Sequence, residues 1–576
     1  MKSMILGTLA TALLAGTALA ADPPMDPSMD MGTMPGMGPM RMAPMPAAYA
    51  GEADKPGAPV FTGLGAHKHP ISTTNPETQK FFDQGVNLLF GFNHAEAIRS
   101  FREAARLDPG CAMCWWGVAF ALGPNINMPM PADAVTPAWQ ALGRAVALEP
   151  KASPVERAWI EALRARYAET PPADRHGLDE AFAAAMGALW KAHPEDLDAG
   201  TFYAEAMMDT QPWDYWQQDG VTPKGHAAEI VSTLENVIKR APDHPGALHL
   251  YIHAVEATTT PERAEPAADK LFTLMPEAGH IVHMPSHIYY RVGRYEDAAK
   301  ANELAARVDE AYIAACKAQG YYPAGYYGHN IHFLWTSSEM QGRYQAAIDA
   351  ARRLVKAVDS VQGPSGGSPQ MEFYGFTPVA TLLRFGRWDA LLAEPAPPPE
   401  RKIETAVWLY ARGFAHANKG DLAAARADRE TLGDLVTKGD FSDYAKAQIP
   451  GHEMADIALA LLDGEIARKA GNLNDAIGRF RLAWTLEQNL PYNEPPDWHQ
   501  PTSHLLGAAL LQANRAAEAE TVYRQSLKFY RGDGWALHGL AIALDAEGKT
   551  AEAAAARKSF TQAWRLADVT PETSRF

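Results

Sequence analysis

The sequence predicts an all-α fold, a solenoid of stacked helix pairs, from three observations. First, about 550 residues follow a predicted export signal, which is more than one hydrophobic core holds. Second, the closing prolines Pro242 and Pro276 are 34 residues apart, a spacing typical of helical repeats. Third, in HAEAIRSFREAARLDP small, aromatic and proline residues fall at offsets 0, 4, 7 and 12, namely Ala97, Phe101, Ala104 and Pro109.

This spacing resembles the second half of a tetratricopeptide repeat, a helix pair whose small residues let helix A and helix B pack closely. The pattern returns in GRYEDAAKANELA, GNLNDAIGRFRLA and HLLGAALLQANRAAEAETVY. The resemblance covers nearly all of the chain after residue 75 and implies a right-handed α-α superhelix. It says little about function, because a fold does not specify an activity.

The N-terminus predicts a signal peptide over residues 1–20. Lys2 precedes an apolar run, and Ala18-Leu19-Ala20 is the small-residue pattern that a signal peptidase recognises. The run is too short for a membrane span, and no later segment has the roughly 20 apolar residues that a spanning helix needs. We therefore expect a periplasmic or secreted protein without membrane insertion.

Residues 21–70 are predicted to form a disordered tail, because prolines and glycines interrupt any helix or strand in its Met-rich part. Thioether sulfur is a soft ligand that suits Cu(I), and the tail resembles the Met-rich segments of periplasmic copper-handling proteins. A low-complexity linker is the alternative interpretation. The candidate tail ligands are Met25, Met29, Met31, Met34, Met37, Met40, Met42 and Met45.

Composition narrows the function classes. The net charge of -16 and the lack of a Lys/Arg cluster disfavour nucleic acid as a partner. Three cysteines are too few for a disulfide-stapled scaffold. Cys111 and Cys114 are close enough in sequence to form a disulfide in an oxidising compartment or, as thiolates, to bind Cu(I).

Two interruptions predict how the repeats are grouped. Residues 210–223, TQPWDYWQQDGVTP, form an insertion between the two helices of one repeat, and residues 359–370 are a Gly/Ser/Pro break. We therefore expect an N-terminal array at residues 71–195, a central array at 196–360 and a C-terminal array at 361–576.

Histidines in the central array are the strongest functional signal. In tetratricopeptide proteins, positions 2, 5 and 9 of helix A face the concave groove, the surface that usually holds a ligand. Units that begin at residues 245, 279 and about 328 have histidine at seven of these nine positions, although the chain has only 19 histidines in 576 residues. These candidate metal ligands are His249, His253, His280, His283, His287, His329 and His332.

This pattern predicts a transition-metal site in the groove. Imidazole suits Cu, Zn, Ni and Fe, and histidines four apart on one helix can chelate one ion. Helices that pack about 8–10 Å apart let rings from neighbouring repeats converge. Glu205 and Glu256 lie near the groove in this register and could complete the ligand shell. Copper is favoured over zinc or iron because of the Met-rich tail, and either one site or two would satisfy the spacing.

Two alternatives compete with metal binding. Helical repeat scaffolds commonly hold a peptide or partner protein in the groove without a metal. A metal-dependent hydrolase or oxidase would use three histidines as ligands and Glu205 or Glu256 as general base. The chain has no phosphate-binding loop, HExxH helix or nucleophile elbow, so the sequence favours a binding protein over an enzyme.

Overall fold

The computed structural model describes Tyr49 and residues 57–316, 321–362 and 369–576. Within these ranges the regular structure is helical, apart from two isolated β-bridges, which confirms the predicted all-α fold. None of the described helices combines the length and the hydrophobicity that crossing a bilayer requires. The predicted signal peptide and the eight candidate tail methionines lie outside the described residues.

The described residues form 28 α-helices, which follow one another along the chain. The first eight are α1 (Pro76–Phe90), α2 (His94–Leu107), α3 (Ala112–Ala121), α4 (Val135–Leu148), α5 (Pro154–Arg164), α6 (His176–Ala192), α7 (Leu197–Thr210) and α8 (Ala227–Arg240). The next eight are α9 (Pro245–Val255), α10 (Glu265–Leu274), α11 (Gly279–His283), α12 (Pro285–Arg291), α13 (Tyr295–Cys316), α14 (Tyr321–Ala324), α15 (Tyr326–Met340) and α16 (Tyr344–Gln362).

The remaining helices begin after the predicted Gly/Ser/Pro break. They are α17 (Glu372–Gly375), α18 (Thr377–Arg384), α19 (Trp388–Leu392), α20 (Lys402–Asn418), α21 (Leu422–Lys438), α22 (Ser442–Lys446), α23 (Gly451–Lys469), α24 (Leu473–Gln488), α25 (Ser503–Gln512), α26 (Ala516–Phe529), α27 (Gly534–Ala546) and α28 (Thr550–Ala563). Short 3-10 helices cover Ala132–Ala134, Glu149–Lys151, Pro261–Ala264 and Pro369–Met371.

Small residues in the repeats let one large ring fill the space between neighbouring helices. Phe101 is fully buried, and a Cβ atom added at Gly85 or Gly117 would lie 2.5 or 2.6 Å from its ring. Tyr523 is enclosed in the same way by Gly507 and Gly539. Packing of this kind is why the repeats have glycine or alanine opposite an aromatic residue.

The N-terminal segment differs from the predicted tail, because residues 57–70 are packed along α1 and α2. The Phe61 amide donates to the Gln84 side chain at 3.0 Å, and the His69 amide donates to Asp83 at 3.0 Å. These side-chain acceptors satisfy an extended backbone that has no strand partner. The described chain therefore departs from the predicted tail boundary at residue 70.

The C-terminal repeats fold back onto the central repeats. Arg531 donates to the Thr259 carbonyl at 3.1 Å, and Trp535 Nε1 donates to the Glu339 carbonyl at 2.9 Å. On the same side, Glu494 lies 3.9 Å from His287. The face that carries the predicted histidines is therefore covered by the chain itself rather than open along its length.

Cys111 and Cys114 form a disulfide with an Sγ–Sγ distance of 1.93 Å. This pairing leaves neither sulfur as the thiolate that Cu(I) binding requires. Cys316 is buried at the end of α13.

Candidate metal centre

Six of the seven predicted histidines form two groups of three. The first group combines two residues of α9 with the start of α11, and the second combines α11, α12 and α15. Within each group, one ring nitrogen from each histidine lies within 4.8 Å of the other two. The members of the first group are His249, His253 and His280, and those of the second are His283, His287 and His329.

Burial separates these rings from solvent. Five of the six histidines are between 0% and 3% exposed, and the sixth, His329, is partly exposed. Burial lowers the pKa of imidazole because it disfavours the charged form. It is the largest cause of the lowered pKa of the His249, His253, His280, His283 and His329 rings, and neighbouring imidazoles lower the pKa further. The neutral form that results is the form that binds metals.

A proline breaks the predicted single helix at the second group. Pro285 has no N–H to donate, so α11 ends at His283 and α12 begins at Pro285. The backbone at Met284 keeps α-helical dihedral angles, and the two histidines still face each other. Their Nε2 atoms, from His283 and His287, are 2.9 Å apart.

In the first group, the hydrogen bonds of the outer ring nitrogens, the Nδ1 atoms that face away from the group, determine whether the inner Nε2 atoms carry a lone pair or a proton. His249 Nδ1 lies 2.6 Å from the Phe90 carbonyl oxygen, which can only accept, so Nδ1 carries the proton and Nε2 is bare. His253 Nδ1 donates to Glu256 Oε1 at 2.9 Å. His253 Nε2 is buried and has no hydrogen-bond partner among the described residues. Both rings therefore direct a lone pair into the group, where His249 Nε2 lies 3.2 Å from His280 Nε2.

The second group places two lone pairs against each other. His287 Nδ1 donates to Glu256 Oε2 at 2.5 Å. His283 Nδ1 is 2.6 Å from Asn302 Oδ1, and the amide is oriented by its Nδ2, which donates to the Ala298 carbonyl at 2.7 Å. Both Nδ1 atoms therefore carry the proton. The two Nε2 lone pairs that face each other at 2.9 Å repel unless a proton or another cation lies between them.

Glu256 connects the two groups. One carboxylate oxygen accepts from His253 and the other accepts from His287. Burial raises the pKa of the Glu256 carboxyl, but His287 and His253 outweigh burial and lower the pKa to about 2. A carboxylate on the outer nitrogen of a histidine is the usual device that orients a metal ligand. The structure thus places Glu256 between His253 and His287, and both of its oxygens accept hydrogen bonds. The three side chains are also close enough together to form a candidate group of their own.

Aromatic side chains form the walls of both groups. The Phe92 ring is 4.6 Å from the His249 ring and 5.2 Å from the His280 ring, between ring centroids. Trp213 lies 4.9 Å from His253. Phe333 lies 4.6 Å from His287. An apolar wall strengthens electrostatic interactions with a bound ion because it excludes water.

Besides Glu256, two of the predicted site residues that the structure describes lie outside both groups. His332 stacks on Trp335 with ring centroids 5.2 Å apart. The residue of α15 that lies beside His329, where His332 was predicted, is Phe333, with ring centroids 5.1 Å apart. Glu205 is buried near Arg166; burial raises the pKa of its carboxyl to about 7, and the charge of Arg166 opposes that effect.

A third cluster, around Asp198, was not predicted from the sequence. Its carboxylate lies 2.9 Å from His244 Nε2, 2.6 Å from His69 Nδ1 and 3.0 Å from His67 Nε2. His244 Nδ1 accepts from the Ala247 amide, so its Nε2 carries a proton and cannot bind a metal. We interpret this cluster as a structural contact, the Asp198 clasp, in which His67 and His69 hold the N-terminal segment against α7. The sequence signal was weak, because His67 and His69 lie outside any repeat.

No protein-family model matches the chain, and no curated protein matches its sequence. Among solved structures, a human IFIT1 dimer with m7Gppp-AAAA is 13% identical over 87% of this chain and 92% of that chain, with a TM-score of 0.30. The yeast Tom70 structure is 12% identical over 83% and 90%, with a TM-score of 0.28. The APC/C hetero-tetramer Cut9-Hcn1 is 12% identical over 85% and 88%, with a TM-score of 0.24. These values assign no ligand or partner to this chain.

Proposed function

We propose that this chain is an exported helical repeat protein that binds two transition-metal ions, one in each tri-histidine group, with copper favoured. The observation that carries the proposal is the pair of opposed lone pairs on His283 and His287, 2.9 Å apart. Both outer nitrogens donate to oxygen acceptors. A cation between the inner nitrogens removes the repulsion that this arrangement creates.

A proton satisfies the geometry less well than a metal ion. Protonation would place an imidazolium in a buried site, where burial already lowers the pKa of His283. A metal ion can instead accept lone pairs from three neutral rings in each group. Glu256, ionised between the groups, supplies a negative charge next to both ions.

The donor set supports copper. The inner atoms of both groups are imidazole nitrogens, and for a given set of nitrogen ligands the affinity of divalent first-row metals is highest for Cu²⁺. The predicted Met-rich tail would add soft thioether ligands for Cu(I) capture or transfer. A chain that lacks residues 21–46 should keep its helical signal and load copper more slowly, and equal copper loading would contradict this role of the tail.

Burial supports storage or delivery rather than catalysis. A catalytic metal needs an open coordination position and a nearby base. Five of the six rings are no more than 3% exposed, and both Glu256 oxygens already accept hydrogen bonds. The metal-dependent hydrolase or oxidase is therefore less well supported than binding. The alternative is a scaffold that binds a peptide without a metal, and measuring the metal content distinguishes it from the proposed metal-binding protein.

The test is the metal content of the untagged protein, purified from the periplasm and incubated separately with copper and with zinc. We expect two ions per wild-type chain after desalting. The His249→Ala/His253→Ala and His283→Ala/His287→Ala variants should each retain one ion. His332→Ala is the matched control, because this buried histidine lies outside both groups, and it should retain two.

Circular dichroism separates loss of a site from loss of the fold. A variant that loses one ion while its helical signal stays at the wild-type level supports the assignment. If the wild-type protein binds fewer than two ions of either metal, the two-ion proposal is wrong, and if it binds none, a metal-free scaffold is the better account.

A further inference from the structure

The burial of the first group means that an ion can enter only if a covering residue moves. Trp213 is the covering residue that also faces solvent. It is 45% exposed, and the other side of its indole lies 4.9 Å from the His253 ring, nearly perpendicular to it. Trp213 therefore stands between solvent and the histidine whose inner nitrogen has no hydrogen-bond partner among the described residues.

The segment that carries Trp213 is short, exposed and bounded by anchors. Residues 212–214 are exposed, whereas Tyr215 is buried. The Gln211 side-chain Nε2 donates to the backbone carbonyls of Asp214 and Lys224 at 3.0 and 3.1 Å. After the segment, Trp216 Nε1 donates to the Ala254 carbonyl at 2.8 Å. Asp214 is itself held, because its amide donates to the Gln211 carbonyl at 3.1 Å and its carboxylate pairs with Lys224 at 2.5 Å. The part of the segment that can swing without moving α7 or α9 is therefore Pro212 and Trp213.

The backbone of Trp213 is in the left-handed region, with φ of +65°. This conformation is unfavourable for a bulky residue, and such residues cluster at functional sites. Phe92, another aromatic residue against the first group, has φ of +53°. Phe333, which packs against the second group, lies inside the regular helix α15. The two groups are therefore covered by different kinds of structure.

We propose that Trp213 is the gate through which ions enter and leave the first group, whereas the second group exchanges its ion without this gate. The inference rests on the proposed function, that both groups hold metal. When Pro212 and Trp213 swing outward, the indole leaves the face of His253 and the backbone of Trp213 is released from its strained conformation. The ion at the first group then becomes accessible to solvent and to an incoming chelator.

The test measures copper release from the fully loaded full-length protein into an excess of a chromogenic Cu(I) chelator with a reductant present. We expect two kinetic phases of equal amplitude in the wild-type protein. Trp213→Ala should accelerate one phase by about tenfold, because the lost aromatic contact no longer holds the segment closed. Trp213→Phe should restore most of the slow release, since it keeps a ring against His253.

Val221→Ala is the matched control, because Val221 is 63% exposed on the same loop, and it should leave both phases unchanged. In the His283→Ala/His287→Ala background, which keeps only the first group, Trp213→Ala should accelerate all of the release. Equal release rates in wild type and Trp213→Ala, with two ions bound in each, overturn the gate alone. Fewer than two ions in the wild-type protein overturn the proposed function and the gate with it.

Discussion

Replacing Glu256 with glutamine tests whether one carboxylate orients both groups. In the structure each of its oxygens accepts from a histidine of a different group. Glutamine is nearly isosteric but has one acceptor and one donor. The histidine whose Nδ1 faces the introduced NH₂ group must accept a hydrogen bond there instead of donating one. Its proton therefore moves from Nδ1 to Nε2, the nitrogen that faces into the group. One group should therefore lose a ligand lone pair while the other keeps its orientation.

The expected magnitude follows from the position of Glu256, which accepts from the outer Nδ1 atoms of two proposed ligands. Loss of such an outer partner typically weakens metal affinity about 10-fold to 100-fold, which is about 1.4 to 2.7 kcal/mol. We expect this loss at one group of Glu256→Gln and a smaller loss at the other, where the negative charge is also removed. The variant should still bind two ions when copper is saturating.

The assay is a competitive titration of copper against a chelator of known affinity, with circular dichroism as the check on folding. Glu205→Gln is the matched control, because this carboxyl is also buried in the central repeats and is not a member of either group. Wild-type affinity at both groups of Glu256→Gln would refute the argument that this carboxylate fixes the protonation of both rings.

Three further predictions concern stability. At a free copper concentration 100 times the Kd, each intact group should raise the free energy of unfolding by about 2.7 kcal/mol, and His283→Ala/His287→Ala should lose one such increment in a thermal melt. Asp198→Ala removes the acceptor shared by three histidines; it should destabilise the fold by about 3 kcal/mol in urea, and a change in copper stoichiometry would contradict the interpretation as a clasp. Burial raises the pKa of the Glu339 carboxyl to about 7, so the folded state binds its proton more tightly than the unfolded state. The stability that this carboxyl contributes should fall by about 3 kcal/mol as the pH rises from about 4.5 to 7. Because other buried carboxyls also have a raised pKa, Glu339→Gln should show a smaller fall than wild type, and an identical fall would refute the assignment to Glu339.

The positions of the histidines within the repeats show how much of the candidate site repeat periodicity can predict. Counting positions in helix A identified all six residues of the two groups, because side chains three and four apart share one face of a helix. The same counting included His332, which stacks on Trp335 instead. The phase of the third unit came from a weaker alignment, and in the structure Phe333 shares the face of His329. Periodicity specifies a face and becomes unreliable where the unit boundary is uncertain.

The division into two groups and the role of Glu256 could not be read from the sequence. The acceptor that fixes His249 is the Phe90 carbonyl, 159 residues away in the chain. The acceptor that fixes His283 is Asn302, on α13. These contacts decide which ring nitrogen carries the proton, and therefore whether a lone pair points into the group or away from it.

The sequence by itself determined the helical repeats, the face on which the histidines gather and the imidazole nitrogens that they offer, because these follow from local periodicity and side-chain chemistry. Only the tertiary structure decided which histidines meet, which nitrogen carries the proton in four of the rings, and that Trp213 stands between His253 and solvent. Those properties depend on hydrogen bonds and packing between segments far apart in the chain, and such contacts arise only when the repeats stack.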